Sequence, residues 1–127
     1  MSNHPIVHIE LSSKDNVATG KFYSELFDWK VQQIPEMQYA TFESGPGSVG
    51  GGFNPIREGY PAGTIIFYVQ TDDIEATLAK AQVLGGKILA HKTEIQGVGW
   101  FGLFTDPTGN MVGLLTPLDP AGMRPAN

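Results

Sequence analysis

The chain has 127 residues, of which 41% are hydrophobic and 17% charged, with a formal net charge of -5. That length and apolar content support a packed core and exclude a disordered chain. The absence of cysteine removes disulfides, thiolate metal sites and cysteine nucleophiles, and the acidic balance without clustered Lys or Arg argues against a nucleic-acid partner.

No apolar run approaches the roughly 20 residues of a membrane-spanning helix. The start, Met1-Ser2-Asn3-His4-Pro5, lacks the basic and apolar regions of an export signal. A cytoplasmic protein with no membrane partner is expected.

Ile6 to Leu11 alternates, with Ile6, His8 and Glu10 on one face and Val7, Ile9 and Leu11 on the other, the period of a half-buried strand. Ser12, Ser13, Asp15 and Asn16 follow as helix-cap candidates. Val17 to Asp28 then carries Phe22, Tyr23, Leu26 and Phe27 at helical spacing, a stripe expected to enter the core. Three strand-like pieces come next, around Lys30–Ile34, Tyr39–Glu43 and Ser48–Phe53. Gly45-Pro46-Gly47-Ser48-Val49-Gly50 matches G-x-G-x-x-G. Because Gly51-Gly52-Phe53-Asn54-Pro55 cannot open a helix, it is no phosphate cradle.

A connector rich in Pro and Gly leads into Thr64–Gln70, a strand of β-branched and aromatic residues. Asp72 and Glu75 form a capping-box-like start for Ile74, Leu78, Ala81 and Leu84, and Gly85-Gly86 is the stop. Strands are expected again at Lys87–Thr93, Val98–Thr105 and Met111–Thr116, with a turn at Asp106-Pro107-Thr108-Gly109-Asn110 between the last two. The Pro-rich tail after Thr116 has little to bury and is expected to be loosely held.

The order strand, helix, three strands therefore occurs twice, offset by about 56 residues. The expected fold class is α+β: two βαβββ modules (5–54 and 64–117, joined by a connector at 55–63 and followed by a tail at 118–127) pairing into curved sheets around a central trough. Their helices cover the outer faces. A trough of this kind is where a small molecule would bind.

Three segments carry a family resemblance: Val7-His8-Ile9-Glu10-Leu11, Phe22-Tyr23-Ser24-Glu25-Leu26-Phe27-Asp28-Trp29, and Phe104-Thr105-Asp106-Pro107-Thr108-Gly109-Asn110. With the repeated element order they make residues 5–117 resemble the vicinal oxygen chelate superfamily, the group of glyoxalase I, bleomycin-resistance proteins and extradiol dioxygenases. The resemblance implies a divalent metal held by His and Glu from the first and last strands of each module, and a homodimer. Carried over residue by residue, the first position falls on His8. The others fall on Thr64, near Gly51 within Gly50-Gly51-Gly52, and on Gly113. Glycine has no side-chain donor, and a divalent site needs three or four. The expectation is therefore no metal cofactor, with a divalent ion bound by His8 and Glu10 as the alternative.

His8 is a candidate for a polar ligand contact or for acid–base chemistry, against a hydrogen-bonded histidine with no such role. Glu10 could orient His8 or act as a base, against a solvated or salt-bridged strand end. The glycines at 50–52 and Gly113 are read as small residues that enlarge the cavity, against a bulge or bend. Tyr39, Phe53, Thr64, Tyr68, Trp100, Phe104 and Met111 complete the candidate ligand-binding set, because aromatic rings with hydroxyl handles suit a flat or apolar ligand. Phe42, Phe67 and Phe101 are assigned to the core, with Ile65, Phe67 and Val69 packing on the second helix. His4 and His91 are assigned to the surface. Three functions remain open: a metal-free small-molecule binder, a metal-dependent lyase, isomerase or dioxygenase of the glyoxalase type, and a structural or regulatory partner whose trough is filled by a second chain or by the tail Pro117–Asn127.

Overall fold

The computed structural model describes residues 3–118, so the tail from 119 onward lies outside the described residues. Among the described residues, eight strands and two α-helices occur in the repeated order read from the sequence: β1 (Ile6–Ser13), α1 (Asn16–Phe27), β2 (Lys30–Ile34), β3 (Tyr39–Glu43) and β4 (Gly51–Pro55), then β5 (Ile65–Gln70), α2 (Ile74–Val83), β6 (Lys87–Ile95), β7 (Gly99–Thr105) and β8 (Met111–Pro117). The chain is α+β and divides into two compact units, Val7–Phe67 and the described parts of Met1–Ile6 with Tyr68–Asn127. The division runs through β5, four residues beyond the connector.

In the first unit β2 pairs antiparallel with β3, and β3 with β4, while β1 lies parallel to β4. The parallel pairing follows from the helix: α1 carries the chain across before the meander returns to β1's edge. Asp15 caps α1, its Oδ1 accepting from the backbone N–H groups of Val17 and Ala18. Asp28 ends it in the left-handed conformation, with φ 60°. The core between helix and sheet is a ring stack: Trp29 lies 4.5 Å from Phe42 between centroids, Phe42 5.2 Å from Phe53, and Tyr23 5.6 Å from Phe53.

Of the predicted α1 stripe only Tyr23 packs on that core. Phe22, Leu26 and Phe27 are 59%, 57% and 54% exposed. Tyr23 faces the sheet, and the Phe27 ring lies 5.5 Å from Trp29 at the margin of that core.

The second unit repeats the plan. β5 lies parallel to β8, and β8, β7 and β6 form an antiparallel meander. Its core joins Ile74, Leu78 and Leu114, with Val69, Ile88, Trp100 and Phe104 packed around them. The α2 cap is Asp73, whose Oδ1 accepts from the Ala76 N–H, and not Asp72. Glu75 serves another purpose, accepting from the Lys92 N–H at 2.7 Å and pairing with His91 at 2.9 Å, which ties α2 to β6. Of the apolar residues Ile65, Phe67 and Val69, only Val69 packs with the α2 cluster, and Ile65 and Phe67 are exposed.

Replacing Asp15 by Ala removes the acceptor for two orphan N–H groups. A loss of about 1 kcal/mol in urea unfolding is expected, with an unchanged m-value.

Candidate functional site

The polar residues of the first unit converge on one carboxylate. Glu10 points to the face of β1 away from α1, and it is 7% exposed. Its Oε2 accepts from the Tyr39 hydroxyl at 3.1 Å. Its Oε1 accepts from the Tyr60 hydroxyl at 2.9 Å and from Asn54 Nδ2 at 3.3 Å. His8, two residues earlier on the same face, places Nε2 at 2.8 Å from the Tyr39 hydroxyl. All five residues belong to the unit Val7–Phe67.

Donor chemistry gives this chain a direction. A carboxylate only accepts, so Tyr39 directs its single hydroxyl proton to Glu10. His8 Nε2 must then carry a proton and donate to the Tyr39 oxygen, a tautomer assigned from the network. Burial pushes the His8 imidazole pKa down from its ordinary 6.5, and the nearby Glu10 charge opposes that shift without cancelling it. The neutral ring is consistent with the assigned tautomer.

Each partner reaches Glu10 from a different element. Tyr39 comes from β3, on the face of that strand opposite the buried Ala40 and Phe42. Asn54 follows from the parallel register, in which Glu10 pairs with Gly52 and Ser12 with Asn54. Tyr60 comes from the connector. There a two-residue turn pairs Arg57 with Tyr60, the Arg57 guanidinium covers the Tyr60 ring at 4.5 Å, and the side chain is 3% exposed. The sequence reading took 55–63 as connector only and missed Tyr60 and Asn54. A large aromatic residue inside a loop of Pro and Gly was the available signal for Tyr60.

The glycines leave no hole, which corrects the cavity reading. A Cβ at Gly52 would fall inside the Tyr39 ring and hydroxyl, and one at Gly113 inside the Tyr68 ring. A Cβ at Gly51 would meet the Ile9 carbonyl oxygen and the Phe42 ring. These residues are glycine because rings and backbone already fill the space.

The other candidates separate by face. Phe53 is fully buried in the ring stack under α1, and Trp100 and Phe104 pack on the α2 core. Alternation turns all three to the helix side, so they act as core. The Thr64 hydroxyl donates to the Pro61 carbonyl at 2.7 Å as part of a turn. In the second unit Tyr68 pairs with Gly113, and Met111 shares Gly113's face by the period of β8. Glu10 is a buried hub and not a solvated strand end.

A cavity of about 380 Å³ opens beside this network in the same unit, lined among others by Asn16, Gln33, Pro35, Gln38, Tyr39 and Pro55. Its volume lies in the range of small-molecule pockets. Tyr39 belongs to both the cavity wall and the Glu10 network.

The chain belongs to the Glyoxalase/Bleomycin resistance protein/Dioxygenase superfamily, whose family model matches residues 5–114. It is 32% identical over 117 residues to a glyoxylase-like domain-containing protein of Didymella fabae, covering 85% of this chain and 90% of that protein. It is 26% identical over 124 residues to the anthracycline biosynthesis protein DnrV of Streptomyces peucetius, covering 79% of this chain and 42% of that protein. It spans only 30% of the length of two mycobacterial relatives that it matches at 34% identity over 79 residues. Among solved structures, methylmalonyl-CoA epimerase from Streptomyces coelicolor superposes with a TM-score of 0.68 at 21% identity. That match covers 93% of this chain and 100% of the other, and it shares the fold. No helix among the described residues is long and apolar enough to cross a membrane.

The donors present do not fit the divalent ion that the family resemblance implies. Among the described residues no three His, Asp or Glu side chains converge. Glu10 already accepts three hydrogen bonds, His8 Nε2 faces a phenol, and Gly52 and Gly113 offer no donor. A divalent centre takes three or four protein ligands.

Two outcomes follow. Tyr60→Phe leaves Glu10 Oε1 with the long Asn54 contact alone, and unfolding free energy should fall by about 1–3 kcal/mol. Because the folded His8 pKa is lowered, the unfolded chain binds more protons as pH falls through 6.5. His8 therefore contributes stability that is present above that pH and lost below it. His8→Gln should flatten this part of the stability–pH curve, by at most about 1.4 kcal/mol per pH unit.

Proposed function

We propose that this protein is a metal-free small-molecule binder of the glyoxalase/bleomycin-resistance type, and that an aromatic or apolar ligand sits in the first unit against Tyr39. The observation that carries the reading is the closed His8–Tyr39–Glu10 chain. It occupies the groups that would otherwise hold an ion, and it fixes a tyrosine at the wall of a ligand-sized cavity.

The cavity lining suits such a ligand. Pro35, Pro55, Val17 and the Tyr39 ring offer apolar contact, while the Gln33 and Gln38 amides lie among them as polar groups. Removal of apolar ligand area from water, at about 25 cal/mol per Å², supports binding without a covalent or metal bond. The relative named for anthracycline biosynthesis supports a polycyclic aromatic as the first class to test. Binding could sequester or carry such a compound.

A thermal-shift panel of planar aromatic compounds, anthracyclines included, tests this. A ligand at a hundredfold excess over its Kd stabilises by about 2.7 kcal/mol, a rise in Tm on the order of 10 °C. The shift should disappear in Val17→Trp, which fills the cavity rim from an exposed position without touching the core. A panel without a hit, or a hit unaffected by Val17→Trp, would count against the assignment.

A further inference from the structure

We infer that the phenol of Tyr39 stands where a divalent ion would bridge His8 and Glu10, and that Gly52 is the ligand position this phenol has displaced. The inference rests on the metal-free reading above and adds which residue stands in for the ion and which position beside Glu10 it keeps free of a donor.

The Tyr39 oxygen lies between one imidazole nitrogen, at 2.8 Å, and one carboxylate oxygen, at 3.1 Å. Those are the two donor types that share a divalent ion. The phenol satisfies both without charge, taking a proton from one side and giving one to the other. Tyr60 and Asn54 complete the shell of Glu10 with neutral donors.

Parallel pairing sets Gly52 beside Glu10 on the same face, so a side chain there would be the natural third ligand. Gly52 is not among the residues with positive φ, so its backbone accepts any side chain. The three atoms nearest to a Cβ built there all belong to Tyr39. Neighbouring Gly51 differs, because its Cβ would strike the Ile9 backbone oxygen, which no side-chain change can remove. The closest obstacles to a side chain at Gly52 thus belong to one residue, Tyr39.

In the second unit a glycine is covered in the same way. The three atoms nearest to a Cβ at Gly113 all belong to Tyr68, its pairing partner in β5. A glycine on the last strand covered by a tyrosine ring occurs once in each module.

The test uses Co²⁺ as the probe, with equilibrium dialysis, visible absorption and thermal melts of the full chain. G52E alone should melt far below the parent. Y39A/G52E should recover most of that loss and bind one Co²⁺ per chain, with ligand-field bands that vanish when H8A is added. Y39A alone should hold less than a tenth as much Co²⁺ under the same conditions. A Y39A/G52E protein that melts no higher than G52E overturns the inference, since Tyr39 would not be what excludes a side chain from Gly52. So does one that folds but binds no Co²⁺, or binds it independently of His8. Stoichiometric, His8-dependent Co²⁺ binding by the parent chain would instead overturn the metal-free reading itself.

Discussion

A carboxylate withdrawn from water must be surrounded by donors, and Glu10 sets that requirement for the whole first unit. Its neighbours in sequence cannot meet it, because a strand sends adjacent side chains to opposite faces. The donors therefore come from three other segments: Tyr39 from β3, Asn54 from β4 and Tyr60 from the connector. Each of those segments is held in register by the need to deliver one proton donor to one oxygen. The connector turn with Arg57 stacked on Tyr60 is part of the same arrangement.

His8 is drawn in from the other end. A phenol that gives its proton to Glu10 leaves an oxygen that accepts, and the imidazole supplies the proton. Burial lowers the imidazole pKa and so favours the neutral ring, which leaves less positive charge to offset Glu10. The carboxylate is balanced by oriented dipoles instead, an arrangement that rigidifies a polar cluster when every member is satisfied. Membership of a superfamily that hosts many chemistries does not decide the function, which has to be argued from this cluster and the cavity beside it.

Much of the fold was legible from residue pattern. The alternation of Ile6–Leu11 and the strand, helix, three-strand order repeated after Thr64 both reflect periodicities of 2 and 3.6 that local sterics impose. Misreadings clustered where a local signal had two tertiary outcomes. The α1 stripe was apolar enough to enter a core, yet Phe22, Leu26 and Phe27 are more than half exposed. The capping-box spacing points to Asp72 as the α2 cap, whereas the helix starts at Ile74 and Asp73 caps it. Phe53, Trp100 and Phe104 were aromatic residues on inner strands, but strand phase turned them toward the helices.

The candidate site divides the same way. The sequence by itself determined that His8 and Glu10 share a strand face and that the glycine positions bear no donor, because both follow from residue type and a period of two. Only the tertiary structure decided that Glu10 is buried, that Tyr39 lies between it and His8, and that the glycines are filled rather than empty. The first two facts depend on contacts between residues 29 to 50 apart in the chain, and the third on rings from a neighbouring strand; such side chains meet only after strand order and register are set.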